Sequence, residues 1–85
     1  MRVHSIEIKS EVKKHLLTLD KALRQRMFEK YKSLADNPRS SGCVKLKSYD
    51  AYRIRVGDYR IVYEIHDDVL IVLVIKVAHR REVYR

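Results

Sequence analysis

The sequence predicts an α+β fold with an N-terminal strand, a two-helix hairpin and an antiparallel sheet meander carrying the helices on one face. Three observations lead there. Apolar residues between positions 12 and 35 recur at helical spacing. Two stretches, 52–56 and 59–65, alternate with a period of two around a Gly-Asp pair. The 85 residues hold only two glycines and one proline, so breaks between elements are few and easily placed. A chain of this length is expected to form one domain, 1–85, burying a little over ~60% of the surface its unfolded form exposes.

The elements follow in order. Val3 to Ile8 alternates, with His4, Ile6 and Ile8 on one face, which predicts a strand. Ser10 offers an N-cap for a helix marked by Val12, Leu16 and Leu19. Asp20 offers a second cap, and Leu23, Met27, Tyr31 and Leu34 form the stripe of a longer helix, widened by Phe28 and Ala35. Asn37-Pro38 ends it, because the residue before proline disfavours helical backbone. Val44 to Lys47 is a short strand after the Ser40-Ser41-Gly42 loop. Tyr52 to Val56 and Tyr59 to Ile65 form a hairpin about Gly57-Asp58, where glycine in first place suits a type II′ turn. After Asp67-Asp68, Val69 to Val77 is apolar except for Lys76, as expected of a central strand covered on both faces.

Composition narrows the function. Lysine and arginine number 19 against 11 acidic residues, a net charge of +8, and the sequence pI is near 9.8. Such a balance fits a nucleic-acid binder or a protein held by an acidic partner. One cysteine, Cys43, excludes an internal disulfide, and no His/Cys/Asp/Glu spacing suits zinc. No apolar run reaches the ~18 residues needed to span a bilayer, and no leader pattern opens the chain. A cytoplasmic domain without metal, cofactor or membrane attachment is expected.

One place breaks a local rule. The two-residue turn pairs Arg55 with Arg60, and Arg53 shares their face. Like charges opposed across strands destabilise a sheet. Three guanidinium groups on one patch read either as a solvated face with its charges fanned apart or, the favoured reading for side chains shaped for bidentate phosphate contacts, as a polyanion site. A second cluster, His79, Arg80, Arg81 and Tyr84, ends the chain. A two-residue turn at Asp67-Asp68 puts Glu64 opposite Ile71 and His79 on the arginine face. A three-residue turn puts Arg80 there instead. His4, His15 and His66 read as ordinary polar residues, Cys43 as a small hydrophobe, and Phe28 with Tyr31 as core.

Tyr52-Arg53-Ile54-Arg55, Gly57-Asp58-Tyr59-Arg60-Ile61-Val62-Tyr63 and His79-Arg80-Arg81-Glu82-Val83-Tyr84 resemble the RelE/ParE toxins of type II toxin–antitoxin systems. The β-α-α opening, Pro38 and Lys45-Leu46 extend the resemblance over essentially the whole chain. Its RelE branch implies a microbial-ribonuclease-like fold and a metal-independent endoribonuclease that cuts messenger RNA in the ribosomal A site by 2′-hydroxyl attack. An antitoxin, expected to be acidic and partly extended, would neutralise it in a hetero-oligomer. By position, the resemblance implies that Arg53 and Arg55 grip RNA, with Lys45, Lys47 and Arg81 as further RNA-binding candidates. It also implies that Arg60 stabilises the scissile phosphate, Arg80 stands near the leaving oxygen, and Tyr84 stacks on or orients the base.

One departure matters for mechanism. Well-studied bacterial members carry lysines where this chain has Arg53 and Arg55, and a guanidinium does not deprotonate. His79 and Tyr84 then remain as candidates for proton transfer. The ParE branch, which poisons DNA gyrase without nuclease residues, is the alternative reading. A toxin reduced to binding its antitoxin and operator is a third.

Overall fold

The computed structural model describes residues 3–47 and 49–79. Strand β1 (Ser5–Ile8) leads into helices α1 (Ser10–Leu16) and α2 (Lys21–Asp36), followed by β2 (Val44–Lys45), β3 (Tyr52–Val56), β4 (Tyr59–His66) and β5 (Ile71–His79). One mixed sheet has the order β1-β5-β4-β3-β2. The last four strands form the expected antiparallel meander, and β1 lies parallel to β5. Among the described residues, no helix is long and apolar enough to cross a membrane.

Both helices cover one face of the sheet. Val12, Leu16, Met27, Tyr31 and Leu34 pack against Ile54, Val56, Ile61, Tyr63, Val72, Val74 and Val77. Apolar burial of this kind is the main favourable term in so small a fold. Asp20 caps α2 as expected, its Oδ1 accepting from the Leu23 N–H at 2.9 Å. Ser10 does not cap α1; it is the first helical residue, and no side chain caps that end. The switch from strand to helix falls at Lys9, whose N–H still bonds to Val74 O while its carbonyl already accepts from Lys13. Phe28 is 46% exposed rather than core. It lies about a hundred degrees around α2 from Met27, at the margin of the stripe, and meets Tyr31 edge-on at 6.1 Å.

Two buried tyrosines differ in how they end. The Tyr63 hydroxyl donates to Pro38 O at 2.8 Å, and burial pushes its ionisation upward. The Tyr31 hydroxyl is buried with no hydrogen-bond partner among the described residues, and burial pushes it up to about 12.

The β3–β4 turn is the expected one. Val56 pairs with Tyr59 and Arg55 with Arg60, and Gly57 has φ +58° while Asp58 stays at negative φ, as a type II′ turn requires. The β4–β5 turn is neither of the expected ones. His66 pairs with Ile71, so residues 67–70 form the connection and Glu64 faces Leu73 rather than Ile71. Leu70 takes φ +54°, held there by a bond from the Ser5 N–H to its carbonyl at 2.8 Å. A bulge follows: Tyr63 pairs with Val74 but Val62 with Lys76, leaving Ile75 as the extra residue. Beyond it the faces of β5 exchange. Lys76 and Ala78 join the arginine face, and Val77 and His79 turn to the helix side. β5 is interior to the sheet, but Leu73 and Ile75 on its helix-free face are only half-buried. β2 ends at Lys45, two residues earlier than expected.

Candidate nucleic-acid interface

The helix-free face of the sheet carries the arginines in adjacent cross-strand rows. Arg55, Arg60 and Ala78 form one row; Arg53, Val62 and Lys76 form the next. Strand spacing puts direct partners ~5 Å apart and diagonal ones roughly 7–8 Å apart at Cβ. Arg53, Arg60 and Lys76 therefore stand at the corners of a triangle whose floor is Val62. Lys76 is exposed and Arg53 half-buried, their methylene stems beside apolar side chains, whereas Arg60 sits deeper, with its Nη1 buried.

This triangle borders a hollow of about 890 Å³, lined by Arg53, Lys76, Lys47 and Lys9 as cations and by Leu46, Val62 and Ile75 as apolar surface. Tyr49, 71% exposed, stands on its rim. Glu64 and His66 close the far end, joined by a 2.9 Å hydrogen bond in which Glu64 Oε1 accepts from His66 Nε2. Among the described residues, no group of three His, Cys, Asp or Glu side chains could hold a metal.

The sequence-predicted residues divide. Arg53 and Lys47 line the hollow, and Arg60 is half-buried beside it in the register. Arg55 shares the face by register, but its Nε donates to Gly57 O at 2.9 Å. That bond turns the side chain over the β3 edge towards α2, where it lines a separate recess. The turn away from Arg60 relieves the like-charge pairing. Lys45 pairs with Tyr52 rather than Arg53, so it lies on the other parity of the edge strand, 3.6 Å from Asp50. His79 is not on the arginine face. The bulge sends it to the helix side, opposite Tyr59, where the two rings meet edge-on at 5.4 Å. Arg80, Arg81 and Tyr84 lie outside the described residues.

Lys76, Lys9, Tyr49 and the Glu64–His66 pair were missed by sequence reasoning. Glu64 was legible, since alternation places it with Arg60 and Val62. Lys76 was not, because Val74-Ile75-Lys76-Val77 gives no alternation from which to find a bulge.

Chemically, three cations around an apolar floor can seat a tetrahedral phosphate and offset the charge gained as it becomes pentacoordinate. Proton transfer at that phosphate is outside the reach of His66. It lies four residues beyond Val62 on β4, about 13 Å along an extended strand.

Comparisons with known proteins place the fold in a family. The family model described as the ParE toxin of the type II toxin–antitoxin system parDE matches residues 6–84. A RelE-like toxin protein of Escherichia coli is 30% identical over 79 residues, 91% of this chain and 83% of that one. RelE in the archaeal RelE–RelB complex of Pyrococcus horikoshii superposes with a TM-score of 0.83 at 30% identity, covering 92% of this chain and 96% of that one. The Escherichia coli RelBE toxin–antitoxin complex gives 0.79 at 25%, covering 89% and 95%. The chain belongs to the ParE toxin family of the RelE/ParE superfamily and is a RelE-like toxin of a type II toxin–antitoxin system.

Proposed function

We propose that this toxin is a ribosome-dependent endoribonuclease that cuts messenger RNA in the A site and so arrests translation in the cytoplasm. The observation that carries this reading is the triangle of Arg53, Arg60 and Lys76 around Val62. In the reaction, the 2′-oxygen of one nucleotide attacks its 3′-phosphorus, and the bond to the next 5′-oxygen breaks. The products are a 2′,3′-cyclic phosphate and a free 5′-hydroxyl. Arg53 and Arg60 hold the non-bridging oxygens and take up the charge of the pentacoordinate phosphorus. The departing 5′-oxygen needs a proton, which a guanidinium does not release. Lys76 supplies it, as the one side chain of the triangle whose donor can give up a proton. The acceptor for the 2′-hydroxyl proton is Tyr84 in its phenolate form, the other titratable candidate that the sequence named beside His79. His79, turned to the helix side against Tyr59, drops from the proton-transfer pair. The hollow beyond Arg53 takes the neighbouring nucleotide, with Tyr49 as a stacking platform on its rim.

Few groups converge on the phosphate, so free RNA is positioned poorly and the ribosome supplies the alignment. The antitoxin partner follows from the related RelE–RelB complexes. Against a cationic face it presents carboxylates together with apolar contacts, since screened charge alone gives little affinity.

The family description favours one second reading, a ParE-like inhibitor of DNA gyrase. Inducing the toxin alone in a bacterial host separates the two. Growth arrest with cuts mapped inside translated messages supports the nuclease. Intact messages with accumulated gyrase–DNA breaks establish the second reading in its place.

A further inference from the structure

The recess that receives Arg55 was not marked by any motif. It has a volume of about 370 Å³ and lies between α2 and the β3–β4 hairpin, lined by Arg26, Glu29, Lys30, Ser33, Arg55 and Gly57. Arg26 and Lys30 are one turn apart on α2 and project to the same side. Two guanidinium groups close on one glycine. Arg55 Nε donates to Gly57 O at 2.9 Å, and a Cβ on Gly57 would stand 3.3 Å from Arg26 Nη1. The positive φ of Gly57 and its missing side chain together give Arg26 its place.

The charge of the recess is out of balance. Arg26, Lys30 and Arg55 contribute three positive charges, and none of them has a carboxylate at salt-bridge distance among the described residues. Glu29 is the one acidic lining residue, and it lies 3.7 Å from Lys32 on the solvent side. Asp58, the neighbouring acid on the hairpin, is exposed and not part of the lining. Gathering like charges without counter-charges costs stability locally, which is the mark of a site kept for an anionic ligand.

We propose that this recess is a second anion seat that binds a phosphodiester of an RNA backbone, further along the strand from the phosphate held over Val62. Arg55 links the two seats: its backbone pairs with Arg60 on the open face, while its guanidinium reaches the recess. The RNA strand then leaves the sheet over the Gly57 hairpin rather than along β3. This rests on reading RNA as the ligand of the open face.

The test measures binding of the full chain to a single-stranded oligonucleotide blocked against cleavage by 2′-deoxy substitution, over a series of salt concentrations. Arg26→Gln with Lys30→Gln is expected to weaken binding about tenfold at low salt and to reduce the slope of log K against log salt by about 0.7 per lost phosphate. Lys14→Gln with Lys21→Gln removes equal charge elsewhere and is expected to keep the slope; a thermal melt of each variant confirms folding. Ribosomes with an empty A site form a parallel arm. Loss on the oligonucleotide supports the seat on the strand held over Val62; loss on ribosomes alone assigns the phosphate to ribosomal RNA and overturns its place on that strand. Unchanged affinity and slope in both arms overturn it, as does a loss confined to binding of the antitoxin. Since the oligonucleotide cannot be cut, RNA binding through the recess by a chain without nuclease activity would sink only the nuclease reading. Normal variant binding in a chain that does cut would sink only the seat.

Discussion

At the His66 end of β4, the nearby charges are matched. Asp67 bonds to Arg39 at 2.8 Å and to His4 at 3.1 Å, Glu64 meets His66 at 2.9 Å, and Arg39 also lies over the Tyr52 ring at 5.8 Å. At the Gly57 end, Arg26, Lys30 and Arg55 converge with no such partner among the described residues. The two ends share a strand, a solvent and a residue chemistry, so the difference lies in what the charges are for. At the first end the Arg39–Asp67 ion pair and the His4–Asp67 hydrogen bond tie the segment after α2 and the residue before β1 to the β4–β5 turn. Unmatched charges at the second leave hydrogen-bonding capacity for a ligand. An arrangement that only stabilised the fold would have mixed the signs at both ends.

The comparison can be broken first at the cation triangle, where the largest effects are expected. Arg60→Ala should lower the single-turnover cleavage rate on saturated ribosomes by about a hundredfold or more. Lys76→Gln should lower it by about a hundredfold, the lower range for general acid–base catalysis. His79→Ala should leave the rate within a fewfold, and an effect as large as that of Lys76→Gln would return His79 to the reaction. Lys76→Gln, at an exposed position, should not shift the melting temperature as a core change would.

The matched end is tested by acid. Arg39 first, and His4 second, hold the Asp67 carboxyl below its usual range. The unfolded chain therefore takes up that proton first as pH falls. The pair's contribution is present above the ordinary carboxylate pKa and is lost as pH drops through the depressed one. Urea midpoints measured from pH 6 down to pH 2 should fall less steeply in Asp67→Asn than in the wild type. Equal slopes would show that Asp67 carries no folding linkage.

Smaller effects come from the two tyrosines. Tyr63→Phe leaves Pro38 O without its donor in a buried place, and should cost about 1–2 kcal/mol, read as a lower urea midpoint. Tyr31→Phe removes a hydroxyl that has no partner among the described residues, so stability at neutral pH should hold or rise by up to about 1 kcal/mol. In the wild type the folded pKa of about 12 exceeds the ordinary ~10. The neutral hydroxyl is thus favoured by folding, and stability should decline between those two pH values. Tyr31→Phe should flatten that decline.

Much of this architecture was legible because its signals are local. Asp20, the Leu23–Leu34 stripe and Gly57-Asp58 each specify an element through a few adjacent residues, and the hairpin alone fixed the pairing of Arg55 with Arg60. What could not be read were displacements of register. The connection at residues 67–70 depends on a left-handed Leu70 held by Ser5, a contact between distant parts of the chain. The Ile75 bulge lies in an apolar run where either face looks alike. Those two features together decide that Lys76, and not His79, stands with Arg53 and Arg60. The side-chain direction of Arg55 was equally hidden, since it is set by a hydrogen bond to the turn rather than by alternation.

The central claim is that the Arg53–Arg60–Lys76 triangle cuts RNA, and the most direct measurement is the chemistry of the cut itself. Purified toxin added to ribosomes programmed with a defined message should produce an A-site fragment ending in a 2′,3′-cyclic phosphate, with a 5′-hydroxyl on its partner, and Arg60→Ala should form it at least about a hundredfold more slowly. An intact message under the same conditions, with the toxin instead stabilising gyrase-cleaved DNA in a parallel assay, would contradict the account.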